Sequence, residues 1–181
     1  LWVRYEIVTH VGIFRRLNVG VSQWTGWDYS PMLLWYGAHM WGFGQFKNYM
    51  NGELSLRRSG EAINRAELFG GPAIRFPGSW SASVEYATDN RKKLIGSFDV
   101  EYEWGDQQFK ERWGVELGIN YRPFSALQLS MNPEYQYWNE DARYAELIEE
   151  EEGDKYIMAN LERTQVILNI RINLYLTPDL S

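Results

Sequence analysis

Apolar and polar residues alternate along most of this chain with a period of two. That is the spacing at which successive side chains of a β-strand point to opposite faces. The clearest run is Lys93 to Trp104. Leu94, Gly96, Phe98, Val100, Tyr102 and Trp104 fall on one side, and Lys93, Ser97, Asp99, Glu101 and Glu103 on the other, with Ile95 out of pattern. Phe109 to Tyr121 repeats the alternation, as do Leu127 to Asn132, Val166 to Leu176 and Ser79 to Tyr86. The first third is less regular, although Leu17, Val19 and Val21 against Asn18, Gly20 and Ser22 fit as well. The pattern predicts an all-β fold, an antiparallel meander of about eight long strands, in a single domain over residues 1–181.

Turn chemistry separates these runs. Thr88-Asp89-Asn90, Gly105-Asp106, Arg122-Pro123 and Thr177-Pro178-Asp179 are short, and Gly70-Gly71-Pro72 and Pro77-Gly78 bracket an irregular segment. Glu140 to Lys155 reads as a long acidic loop. If the Pro123 turn lies at one end of the strands, so do Thr88–Lys92 and the Thr177 turn, while Gly105–Gln108 and the acidic loop lie at the other. Matching faces across the Gly105 hairpin places Trp104 opposite Phe109 and Val100 opposite Trp113. The same register sets Glu103 against Lys110, Glu101 against Arg112, and Asp99 against Gly114. Two opposite-charge pairs arise on the polar face, where like charges directly opposite would be unfavourable.

Alternation does not say which face meets water. A soluble barrel turns its apolar face inward, and an outer-membrane barrel turns it outward to lipid. Strand length favours the membrane, since about 9–11 residues cross a bilayer while soluble strands commonly have about 5–6. Aromatics near strand ends (Trp80, Tyr86, Trp104, Tyr121, Tyr137, Trp138, Tyr156 and Tyr175) match the girdles of such barrels. The expectation is therefore a transmembrane β-barrel segment of the outer membrane, with lipid as its partner. Glu101, Arg112, Glu103 and Lys110 are expected as lumen-facing charge pairs. A soluble β-barrel binding protein and a membrane-embedded glycan or lipid hydrolase are the alternatives.

Composition narrows this. The chain has 181 residues, 45% hydrophobic and 16% aromatic, with 9 Trp and 12 Tyr. No cysteine is present, so disulfides and thiolate metal sites are excluded. A net charge of −6 argues against a nucleic-acid partner. The longest apolar stretch, Met32 to Gly44, is too short for a membrane-spanning helix and contains His39. The chain opens at Leu1 already in strand pattern and stops after a turn. This predicts a piece of a larger barrel, an open curved sheet with an export signal upstream.

Candidate chemistry is sparse. Asp99, Glu101 and Glu103 share one strand face at about 7 Å intervals, a separation seen between glycosidase carboxylates. Lumen lining partnered by Lys110 and Arg112 accounts for them more simply. Glu146, Glu149 to Glu152 and Asp154 carry Ca²⁺-type ligands but lack the spaced loop of an EF-hand. His10 and His39 have no metal spacing, and His10, Asp28 and Ser30 make no recognisable triad. The glycines form no phosphate loop. Trp35, Tyr36, Trp41, Phe43 and Phe46 are of the type that stacks on sugars, yet read first as an interface belt or core. No catalytic residue, cofactor or metal is expected.

Several segments together resemble the Bacteroidota family of domain of unknown function 5916. They are Phe69-Gly-Gly-Pro-Ala-Ile-Arg-Phe-Pro-Gly78, Thr88-Asp-Asn-Arg-Lys92, Arg122-Pro-Phe-Ser-Ala-Leu-Gln-Leu-Ser-Met-Asn-Pro133, Arg143-Tyr144, and Ile170-Arg-Ile-Asn-Leu-Tyr-Leu-Thr-Pro-Asp-Leu-Ser181. They occur in the family's order over roughly the last two thirds of the chain. Phe69 stands where a basic residue is expected, and the first sixty residues match in pattern only. The resemblance implies an exported protein with an N-terminal carbohydrate-binding module of the family-9 type followed by a large β-barrel. It supplies no catalytic motif; surface glycan binding or passage is the role it implies.

Overall fold

The computed structural model describes residues 1–29, 31–148 and 154–175. It is all-β apart from one 3-10 turn at Asp106–Gln108. The strands are β1 (Trp2–Ile7), β2 (Phe14–Trp27), β3 (Leu33–Phe46), β4 (Asn51–Ser59), β5 (Ala62–Asn64), β6 (Ile74–Phe76), β7 (Ser79–Ala87), β8 (Leu94–Gly105), β9 (Lys110–Phe124), β10 (Leu127–Ile148) and β11 (Lys155–Leu174). Nine form a single antiparallel sheet in the order β1-β2-β3-β4-β7-β8-β9-β10-β11, and β5 and β6 pair separately. The sheet is not closed, and β1 and β11 are its edges.

The predicted hairpin register is wrong by two residues. Trp104 pairs with Glu111, Glu103 with Arg112, Glu101 with Gly114, and Val100 with Val115. The cause is the turn. Gln107 and Gln108 adopt left-handed φ of 58° and 60°, and Phe109 folds back over Gly105 instead of extending β9. A slip of two keeps every side chain on its predicted face.

Two further expectations change. The acidic segment is largely strand: β10 and β11 stay paired to Ile148 and Lys155, a two-stranded ribbon running past the end of β9. Tyr144, Leu147, Tyr156 and Met158 supply half-buried positions along it. Glu149 to Glu152 lie outside the described residues, as do Ser30 and the Thr177 turn. Trp138 is no lipid-side girdle residue. It sits on the polar face opposite Arg112 and Arg163, whose guanidinium carbons lie 5.5 and 4.9 Å from its ring centre.

Most strands give one face to apolar side chains and the other to polar ones, and burial is inverted relative to a soluble protein. In β2, Val19 and Val21 are 43% and 51% exposed, whereas Asn18 beside them is 6% exposed. In β8 the apolar residues Phe98, Val100, Tyr102 and Trp104 are exposed, and Asp99, Glu101 and Glu103 are half-buried. Among the described residues the only buried hydrophobic side chain is Leu68, in the segment between β5 and β6. One sheet with no second layer has no interior of the ordinary kind. Side chains of the polar face instead shelter one another.

Stacked aromatics mark two levels of the apolar face. Trp80 and Trp104, Tyr102 and Trp104, and Trp113 and Tyr135 lie with ring centres 4.9 to 6.4 Å apart toward one end. Tyr86 and Phe98 lie 5.6 Å apart nearer the middle of the strands, where Phe98 pairs with Leu117. On β9, Trp113 and Tyr121 bracket Val115, Leu117 and Ile119; eight residues of strand span roughly 27 Å.

The turns at the Tyr121 end are latched together. Tyr49 lies between two guanidinium groups, Arg15 at 3.9 Å and Arg91 at 3.1 Å from its ring centre. Asp89, 4% exposed, accepts hydrogen bonds from Arg91 Nε at 2.8 Å and Nη2 at 2.6 Å, and from the Arg91 backbone N–H. Arg91 holds the Asp89 carboxyl at about 2, below the ordinary 3.8. A depressed carboxyl pKa stabilises the fold above the unfolded value and loses that contribution as pH falls through the folded one. The stability difference between wild type and Asp89→Asn is therefore expected to be full at pH 6. It should shrink between about pH 4 and pH 2, read as thermal unfolding across that range.

Candidate functional site: the polar face

The polar face carries a structured set of side chains. The two ion pairs are formed, but diagonally because of the register: Lys110 Nζ lies 2.6 Å from Glu103 Oε1, and Arg112 Nη2 3.8 Å from Glu101 Oε2. Glu103 also accepts a hydrogen bond from Ser79 Oγ at 3.0 Å. On β1 and β2, Glu6 bridges Arg4 and Arg16, and Arg4 donates to Asn18 Oδ1 at 3.0 Å. These are half-exposed pairs, each contributing at most about 1 kcal/mol.

Sequence reading missed an acidic row. Glu53 pairs directly with Glu85, Glu85 with Asp99, Asp99 with Glu116, and Glu116 with Glu134. Five carboxylates thus stand side by side across neighbouring strands, where like charges repel. The signal lay in the register, which the two-residue slip concealed by setting Asp99 against Gly114. Among the described residues no group of three or more His, Cys, Asp or Glu side chains is arranged to hold a metal.

A second feature runs at right angles to the first. Along β2 and β3 the polar face carries one ring at each of five successive levels: Trp35 opposite Gly26, Trp24 opposite Gly37, His39 opposite Ser22, Trp41 opposite Gly20, and Phe43 opposite Asn18. The indoles lie flat on the sheet. A methyl group at Gly20 would overlap Trp41, three of whose benzo carbons lie within 2.6 Å of that position; Gly26 stands in the same relation to Trp35. His39 and Trp41 are nearly parallel, with ring centres 5.2 Å apart. Glycine at these positions leaves the neighbouring ring room to lie down. Of the predicted aromatic cluster, Trp35, Trp41 and Phe43 share this face, while Phe46 packs at a tilt on Phe14, ring centres 4.9 Å apart, and the Tyr36 ring covers Gly60.

Two polar concavities open on this face. One of about 300 Å³ is lined by His39, Ser55, Arg57, Ser83, Asp99 and Glu101 among others. A larger one, about 740 Å³, lies between Glu85 and Arg171 over β7 to β11. At the Trp35 end, the β5–β6 segment joins distant strands. Arg65 Nη2 lies 2.6 Å from Asp28 Oδ2 beyond β2, Phe69 packs on Tyr144 of β10, and Tyr156 of β11 covers Gly71. Arg58 Nη1 donates to Asp106 Oδ1 at 2.8 Å at the same end, which keeps the Asp106 carboxyl below its usual range. His10 and Asp28 fall at opposite ends of the sheet, so no triad can assemble from them.

Fold and face together define a single-sheet β-protein with an exposed apolar side and a charged, aromatic-striped polar side. The chain belongs to the family described as Domain of unknown function (DUF5916), whose model matches residues 1–181, including the first sixty. No curated protein and no solved structure matches the chain significantly.

Proposed function

We propose that this chain is part of the wall of an outer-membrane β-barrel, with its apolar face against lipid and its polar face lining a watery lumen. One observation carries the reading: the apolar face is exposed and the polar face sheltered across β2 and β8 alike. Water would penalise so large an exposed apolar surface, whereas hydrocarbon would not. On β9, Trp113 and Tyr121 at the two ends of the aliphatic run Val115, Leu117 and Ile119 suit the two interfaces. In this reading the protein does no chemistry of its own. It binds or passes polar solutes such as surface glycans, and the acidic row disfavours anions, as carboxylate rings do in cation-preferring pores.

The test is reconstitution into phosphatidylethanolamine–phosphatidylglycerol vesicles followed by density flotation after a urea wash. The chain is expected to float with the lipid and to keep its β-sheet circular dichroism. A chain that stays folded and monomeric in the dense fraction without detergent would overturn the proposal in favour of the soluble reading.

A further inference from the structure

Among the described residues no second sheet layer covers the length of the five-ring stripe on β2 and β3; the β5–β6 segment meets this strand pair at the Trp35 end. The stripe places flat rings on a face otherwise made mostly of hydroxyl, amide and charged groups. We propose that it is a binding track for a linear, uncharged oligosaccharide, a proposal that rests on the polar face being open to water as in the lumen reading. Pyranose rings have two chemistries, with axial C–H bonds on their faces and hydroxyl groups around the edge. A flat indole meets the first through its negative π-face. Hydrogen-bonding side chains at the same height meet the second.

Both are present. Trp35, Trp24, His39, Trp41 and Phe43 occupy consecutive levels of the strand pair, about 7 Å apart, so the track is roughly 27 Å long. Beside it, Arg57 pairs across the strands with His39 and reaches over Trp24, 5.3 Å from the ring centre. Ser55 and Ser83, 2.8 Å apart, add hydroxyl groups next to Asp99 and Glu101. The acidic row meets the stripe at its Phe43 end, because Glu53 pairs with Phe43. An anionic polymer would therefore be repelled where it leaves the rings, which selects a neutral chain.

The experiment is isothermal titration of the full chain in tetraethylene glycol monooctyl ether, a detergent without a sugar headgroup, with maltohexaose, cellohexaose and chitohexaose. At least one is expected to bind, about tenfold tighter than its disaccharide because it covers more rings. Trp24→Leu and Trp41→Leu keep an apolar cover over the glycines but remove the flat π-face. Each is expected to weaken binding about tenfold with the circular dichroism unchanged. Trp80→Leu, on the opposite face, should leave affinity as it was. Three outcomes overturn the track: no binding by any hexasaccharide, equal affinity in the Trp24→Leu and Trp41→Leu variants, or binding of spermidine alone. Flotation is read separately. A chain that floats but binds no glycan refutes the track and not the membrane reading, and a chain that binds glycan but does not float does the reverse.

Discussion

Leu117→Arg is expected to cost about 2–4 kcal/mol of folding stability in a bilayer, the range for a cation at the hydrocarbon midplane of a barrel wall. Leu117 is 47% exposed and lies midway between Trp113 and Tyr121 on β9, opposite Phe98. If that side faces lipid, the guanidinium has no nearby water and must distort the bilayer or tilt out of it. The next residue provides the control. Glu116 is on the other face, in the acidic row between Asp99 and Glu134. Glu116→Gln removes two like-charge contacts and is expected to be neutral or stabilising by up to about 1 kcal/mol. Urea unfolding in vesicles, followed by tryptophan emission, reads both. Equal costs at the two positions, or a cheaper Leu117→Arg, would show that the exposed apolar face is not the lipid side.

How much of this was legible in the sequence depended on how cleanly the two faces differ. In β8 and β9 every second residue changes character, so strand limits and face assignment follow directly from Leu94 to Tyr121. Beyond the faces, register needed the turn. Nothing in Gly105-Asp106-Gln107-Gln108 announces two non-glycine residues at positive φ, so by pattern Phe109 reads as strand. The acidic row was lost with it. Strand β3 is hidden for the opposite reason. Trp35, Trp41 and Phe43 put large apolar side chains on the face that is polar elsewhere, while Ala38, Met40 and Gly42 occupy the apolar face. Alternation vanishes when both faces are apolar, and Met32 to Gly44 reads as one hydrophobic run. The place where the pattern failed is the place where the polar face departs from simple lining, as expected where function overrides a local rule.

Gly37→Val tests that departure from the backbone side. A side chain at Gly37 would meet Trp24 Cε2 and the Arg58 carbonyl oxygen, each at 2.6 Å from the new Cβ. The indole can rotate away, but the carbonyl belongs to the β3–β4 ladder and cannot move without disturbing the pairing around Ala38 and Arg58. Overpacking of this kind costs about 1–3 kcal/mol. Gly114 on β9 makes the comparison sharp. Its added Cβ would lie 3.6 Å from Gln136 Cγ and 3.7 Å from the Tyr135 carbonyl oxygen, which is ordinary contact. Gly114→Ala is therefore expected to stay within about 0.5 kcal/mol of wild type, or to gain slightly from the lower chain entropy of alanine. Thermal unfolding in detergent separates the two. If the stripe is a track, Gly37→Val also lifts Trp24 off the sheet and weakens hexasaccharide binding in the molecules that remain folded, whereas Gly114→Ala leaves affinity unchanged. A Gly37→Val protein as stable as wild type would mean that the flat seat of Trp24 is not required by the fold.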